Sequence, residues 1–254
     1  MSVLAYFLKD LKKMKILNLG NRVVNQYLVE LNDGFLLIDT GYSNGYKRFI
    51  KNLSKHRIQK EQIKYVFITH AHDDHIGFLA ELLNNFPHIT LITNLLSKNR
   101  FSEGHNRFVG GCTTLRAYLF CKFMRLMGKG EHTFPIVNLQ SHKTIDCENI
   151  DNLRTYGINA EIVFLQGHTD DQMGLLFDDG TLFCGDAAKN GFPSKHKIII
   201  FVENLDDYKH TWDKLIDNEK IKAIYPAHGK PFDIALLKKN RRYLERIKLR
   251  ILKR

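Results

Sequence analysis

The stretch Ile63-Lys64-Tyr65-Val66-Phe67-Ile68-Thr69-His70-Ala71-His72-Asp73-Asp74-His75-Ile76-Gly77 decides how the rest of the chain is read. A mainly apolar run, Ile63 to Ile68, opens directly into His70, His72, Asp74 and His75, which puts four metal-ligand side chains within six positions. Packing does not explain that density. Successive side chains of a strand alternate between faces, so His70 and His72 would share a side if the strand ran on to His72. The following turn would then bring Asp74 and His75 to the neighbouring side of the same pocket. Imidazole and carboxylate together suit a borderline divalent ion such as zinc. The competing reading is a polar loop that is merely rich in histidine. A single His pair would leave that reading ahead; His-x-His-x-Asp-His does not.

On the N-terminal side, Ile16–Leu19, Val23–Leu31 and Phe35–Ile38 read as short strands, with Asn32-Asp33-Gly34 as a hairpin turn. The third strand ends in Asp39-Thr40-Gly41, and Tyr46, Phe49, Ile50 and Leu53 then recur at helical spacing. Asp39, at a strand end, is placed to hold a ligating histidine, with capping of the next turn as its competing role. On the C-terminal side, Phe78–Phe86 reads as a helix and Ile89–Thr93 as the next strand of a βαβ unit. Residues Leu95–Pro135 read as a helical insertion, either a lid or a dimer contact. Its stripe of Leu115, Leu119, Phe120, Phe123, Met124 and Met127 is expected to be core. Strands are expected again at Lys143–Cys147, Ile158–Leu165, Met173–Phe177 and Leu182–Cys184, with Asp178-Asp179-Gly180 as a turn. Gln166-Gly167-His168-Thr169-Asp170, Gly185-Asp186-Ala187 and Tyr225-Pro226-Ala227-His228-Gly229 each set a ligand-type side chain just past a strand. Leu205–Ile216, with Trp212, and the basic Ile234–Leu252 read as helices. Strands followed by a helix occur twice, which suggests two similar αβ halves packed sheet to sheet.

Composition bounds the rest. With 254 residues, 44% hydrophobic and 26% charged, the chain is expected to be a soluble globular protein with a full core. No apolar run reaches the roughly 18–20 residues that cross a bilayer. The apolar piece Val3–Leu8 is followed by Lys9, Asp10, Lys12 and Lys13 without a small-residue cleavage pattern, so a cytoplasmic location is expected. Cys112, Cys121, Cys147 and Cys184 form no Cys-x-x-Cys pair and read as reduced thiols; Cys184, close in sequence to Asp186, is expected to pack. The net charge of +11 is concentrated, at about +3 over Met1–Lys15, +5 over Leu95–Pro135 and +8 over Lys238–Arg254. Such an excess would attract a phosphate- or carboxylate-bearing substrate, a nucleic acid or an anionic membrane surface, unless it is only solvated helix face.

Taken together, Asp39 in Asp-Thr-Gly, His70-x-His72-x-Asp74-His75, Gly167-His168-Thr169, Gly185-Asp186 and Ala227-His228-Gly229 resemble the metallo-β-lactamase superfamily, in its order and over most of the chain. The resemblance implies an α+β fold, a four-layer αβ/βα sandwich, as one domain over residues 1–254. The insertion at about 95–135 and a basic C-terminal helix at about 234–252 are additions to it. It further implies that His70, His72 and His168 hold one metal, that Asp74, His75 and His228 hold a second, and that Asp186 bridges them. Two divalent ions follow, zinc first, with iron or manganese accepted by the same ligands. Asp74 and Asp186 would be the catalytic carboxylates, and Asp39 would stand behind a histidine. The reaction implied is hydrolysis of a small ester, thioester or lactone by a metal-activated hydroxide. A phosphodiesterase or nuclease is the alternative, ahead of a mononuclear iron oxygenase or a metal-binding protein without turnover. Quorum-quenching lactonases of this resemblance typically carry a tyrosine shortly after the bridging aspartate, whereas here the third residue after Asp186 is Lys189, which lowers the acyl-homoserine-lactonase reading. Lys189, Lys195 and Lys197 are candidates to meet an anionic group of a small-molecule substrate, with a merely solvated loop as the competing reading and nucleic acid the less favoured partner.

Overall fold

The computed structural model describes residues 14–107, 109–128, 130–150 and 152–251. The first half runs β1 (Ile16–Asn18), β2 (Tyr27–Leu31), β3 (Gly34–Ile38), α1 (Tyr46–Lys55), β4 (Ile63–Phe67), α2 (Asp73–Ile76), α3 (Leu79–Asn85), β5 (Thr90–Thr93), α4 (Leu95–Phe101), β6 (Gly111–Cys112), α5 (Leu115–Leu126) and β7 (Thr144–Asp146). The second half adds β8 (Ala160–Phe164), β9 (Met173–Phe177), β10 (Thr181–Gly185), β11 (Phe201–Val202), α6 (Leu205–Asp217), β12 (Ala223–Pro226), β13 (Phe232–Asp233) and α7 (Ile234–Asn240).

Central strands read as continuous apolar runs because both of their faces are covered. Along β2 and β3, Leu28, Phe35 and Leu37 enter one core, while Tyr27, Val29, Leu36 and Ile38 enter another. Along β9 and β10, Leu176, Leu182 and Cys184 face a third core, while Met173, Leu175, Phe177 and Phe183 join the second. Side-chain alternation thus divides each strand between two cores. The result is four layers. Helices α1 and α3 cover the six-stranded sheet β1-β2-β3-β4-β5-β7, which packs on the five-stranded sheet β13-β12-β10-β9-β8, which α6 and α7 cover in turn. β3, β4, β5 and β7 run parallel, so the ends of β3 and β4 and the loops that follow them open on the same edge of the sandwich.

Three expectations are corrected. Residues 23–26 are not strand, because the Asn21 side chain accepts from the backbone N–H of Val23 at 2.6 Å and of Val24 at 3.1 Å, closing a turn instead. The basic C-terminal segment is not one helix. A 3-10 turn, Arg241–Arg246, follows α7, and Arg250 then pairs its backbone with Cys112 as an added strand partner; Leu252 lies outside the described residues. Nor is the stripe on α5 core: Ala117 is the buried residue of that helix, and Leu115, Leu119, Phe123 and Met127 are all more than half exposed. The small β6–β11 sheet, unforeseen, fastens the insertion to the second half.

Candidate metal centre

The strand does not run on to His72: β4 stops at Phe67, because Asp39 intervenes. At the end of β3 its carboxylate accepts the Thr69 N–H at 2.9 Å, where a ladder partner would otherwise stand. Asp39 adopts a left-handed backbone (φ 58°), which costs an L-residue about 1–2 kcal/mol. Its compensation is a buried carboxylate that also accepts from Thr69 Oγ1 at 2.9 Å and from His75 Nδ1 at 2.8 Å. It caps no helix. From Thr69 the chain continues as a loop through His70 and His72 into the single turn of α2, which returns Asp74 and His75 toward the same point.

The second half supplies three more ligand-type side chains, each from a loop after a strand. His168 follows β8, Asp186 follows β10 and His228 follows β12. Gly185, before Asp186, has φ 53°, and a Cβ there would lie 2.8 Å from the Thr69 side chain. Only glycine lets the β10 end approach the histidine loop this closely.

All seven side chains converge. His70, His72 and His168, then His70, His75 and Asp186, then Asp74, His75 and His228, form three overlapping groups whose ligand atoms lie within 4.8 Å of one another. His72 Nδ1 stands 3.1 Å from Nε2 of both His70 and His168. Asp186 reaches both sides of the cluster, 3.5 Å from His168 Nε2 and 3.4 Å from His228 Nε2. Asp74 Oδ2 lies 3.1 Å from His228 Nε2.

Outer hydrogen bonds fix the tautomers. Nδ1 of His168 donates to the Phe201 carbonyl at 2.8 Å, Nδ1 of His228 to the Val23 carbonyl at 2.6 Å, and Nδ1 of His75 to Asp39. His70 Nδ1 is 3.2 Å from the Thr69 hydroxyl, which relays the same carboxylate. Each Nε2 is thereby aimed inward, where it offers a lone pair once it carries no proton. His75 Nε2 and Asp186 Oδ1 are buried with no hydrogen-bond partner among the described residues, and unpaired buried polar atoms are costly. Convergent lone pairs backed by committed donors are what a divalent cation satisfies, so the donor set fits metal.

Electrostatics divides the cluster. Burial, with the neighbouring imidazoles, holds His70 and His72 well below the usual histidine range, hence neutral. Burial opposes protonation of His75 and His228 as well, yet Asp39, Asp74 and Asp186 around the first raise it to about 10, and chiefly Asp186 raises the second to about 9. Asp74 and Asp186 stay ionised although burial opposes it, because the surrounding histidines lower both.

The cluster forms the floor of a cavity of about 660 Å3. Its walls are partly apolar, with Phe120, Met124, Phe192 and Ile199, while Arg22 and Lys189 bring positive charge. Lys189 is 9% exposed, and no carboxylate pairs with its ammonium among the described residues. Lys197 lines an adjoining cavity of about 300 Å3, shared with Lys189, and its ammonium donates to Asn190 at 2.6 Å. Lys195 is exposed and lines neither cavity. Cys184 faces the core under α6, where burial raises its thiol.

Sequence reasoning missed Thr69, Tyr42 and the group Asp73, Asn106 and His132. Tyr42 lines the cavity with its hydroxyl pushed up by burial and by Asp74. Asn106 donates to Asp73 at 2.7 Å, and His132 Nδ1 stands 3.3 Å from the same carboxylate at the cavity wall. A second acid inside the His-rich motif was the available signal for Asp73.

The sequence profile of the metallo-beta-lactamase superfamily matches residues 19–108. A metallo-beta-lactamase fold-containing protein of Sulfurisphaera tokodaii is 27% identical over 197 residues, 76% of this chain and 68% of the relative. A hydroxyacylglutathione hydrolase of Vibrio cholerae is 24% identical over 166 residues, 65% of this chain and 48% of that enzyme. The chain thus spans between about half and two thirds of these two relatives' lengths. In structure, a metallo-beta-lactamase family protein of Thermus thermophilus superposes with a TM-score of 0.64 at 16% identity, over 93% of this chain and 80% of the other. Profile, relatives and four-layer architecture agree in likening this chain to the metallo-β-lactamase superfamily, whose fold it shares.

Proposed function

We propose that the protein is a metal-dependent hydrolase acting on a small ester, thioester or lactone that carries an anionic group. The observation that carries this reading is the convergence of seven ligand-type side chains, six of them buried and Asp74 half-buried, at a cavity whose walls are partly apolar and whose buried Lys189 has no carboxylate partner among the described residues. In it, His70, His72 and His168 would hold one ion, Asp74, His75 and His228 would hold a second, and Asp186 would serve both. When bound, two divalent ions, zinc first, lower the pKa of a water toward neutrality and polarise the bond it attacks.

This chain's own residues do the rest. Asp39 and Thr69 orient His70 and His75, and the Phe201 and Val23 carbonyls orient His168 and His228. Asp74, ionised on the cavity side, is placed to hold the attacking water by hydrogen bond and to carry its proton to the leaving group. Lys189 receives the substrate's anionic group. Phe120, Met124 and Phe192 accept its apolar part and keep bulk water out. Walls of this kind favour an acyl compound over a nucleic acid, whose binding would need a basic groove.

The test is a panel of lactones, thioesters and phosphodiesters on protein of measured metal content, with Asp186→Ala as control. Turnover of a carboxylic substrate that Asp186→Ala abolishes is the expected result. Turnover that survives Asp186→Ala, or turnover confined to phosphodiesters, overturns the reading.

A further inference from the structure

Helix α5 is apolar on both of its faces, and among the described residues only one is covered. Ala117, Phe120, Cys121 and Met124 share the inner face; the first is buried and the other three line the metal cavity. The opposite side carries Leu115, Leu119, Phe123 and Leu126, at the i, i+4, i+8, i+11 spacing of a single stripe. These four are 53%, 55%, 57% and 86% exposed. Phe192, 67% exposed, continues the apolar surface at the cavity mouth, edge-on to Phe120 with ring centres 5.8 Å apart and under the Arg116 guanidinium at 4.6 Å. A helix that is apolar all round is ordinarily buried, and a contiguous exposed patch marks an interaction surface.

Charge says what kind of cover the stripe takes. Residues 109–130 contain Arg116, Lys122, Arg125 and Lys129 and no acidic side chain. Arg116 and Lys122 sit on the helix flanks beside the apolar stripe, the latter 5.5 Å from the Tyr118 ring centre. A two-fold contact between copies through α5 would set these cations against themselves, because such an interface brings the same patch to itself. A lipid surface of negative charge has the opposite logic: basic side chains meet phosphates while large apolar side chains sink to the acyl boundary. The geometry points to α5 as a docking surface for an anionic bilayer, with the metal cavity directly behind the docked helix.

Docking needs neither metal nor turnover, so the test reads binding alone. The full chain should co-sediment with vesicles of phosphatidylcholine and phosphatidylglycerol at low ionic strength, should be released by salt, and should not sediment with phosphatidylcholine alone. Lys122→Glu should weaken this binding about fivefold or more, since one cation near such a surface is worth about that factor. The double substitution Leu119→Ser, Phe123→Ser should abolish it without altering thermal unfolding, because both side chains stand outside the cores. Failure to sediment with the anionic vesicles overturns the inference, as does sedimentation that the double substitution leaves intact. A dimer in light scattering that the same substitution disperses also overturns it and gives the stripe to a second copy.

Discussion

The Thr69 hydroxyl stands between two imidazoles and the Asp39 carboxylate. Thr69→Val keeps the shape and removes that relay, so metal affinity should fall about 10- to 100-fold, the usual cost of losing a partner behind a ligand; competition with a fluorescent chelator measures it. Lys189 lines the same cavity, where it would receive the substrate's anionic group. A charge-assisted hydrogen bond contributes about 1.5–3 kcal/mol, so Lys189→Met should raise KM for an anionic substrate about 10- to 100-fold and leave kcat and metal content nearly unchanged. An unchanged KM would remove the lysine from the substrate's path. That the seven ligand-type side chains come together was legible in the sequence because few side-chain types can ligate a divalent ion and His168, Asp186 and His228 each sit in a short turn just past a strand. The Val23 and Phe201 carbonyls that aim His228 and His168 were not, since every residue owns a carbonyl and only the fold selects one.

Arg100, on α4 and almost fully buried, ties several loops together. It pairs with Glu203 at 2.9 Å and Asp170 at 2.7 Å and lies 3.6 Å from Asp171, whose other oxygen accepts the Ala71 N–H between the two motif histidines. Arg100→Met would leave buried carboxylates without a countercharge, so unfolding in denaturant should show a loss of about 3–5 kcal/mol. The loops bearing His70, His72 and His168 should loosen with it, because Glu203 also bonds the His168 carbonyl and the Asp170 N–H. A stability within 1 kcal/mol of the parent protein would show that the network is dispensable. Strands were readable from apolar runs and turn residues to within a few positions. The burial of α5 was not, because periodicity reports which residues share a side of a helix, not whether anything lies against that side. The C-terminal helix failed for a different reason: Leu244 is buried under α6 and Arg250 pairs with Cys112, and these tertiary contacts override a helical pattern.

The two sheets contribute unequal sets to one cluster: His70, His72, Asp74 and His75 from the first, His168, Asp186 and His228 from the second. Ions bound there would cross-link the halves. Removing them with a chelator should therefore lower global stability by about 3–4 kcal/mol at ion concentrations 100 to 1,000 times the dissociation constant; identical thermal midpoints with and without chelator would contradict this. The order of assembly follows from one contact. His228 takes its orientation from a carbonyl 205 positions earlier, and Asn25 grips the Pro226 and Gly229 carbonyls across a similar span. Loop closure over such a separation comes late, after local pairings have formed. The complete cage cannot nucleate folding; it matures once the chain has already collapsed into place. Bound ions should accordingly slow unfolding in stopped-flow experiments while leaving the refolding rate where it was.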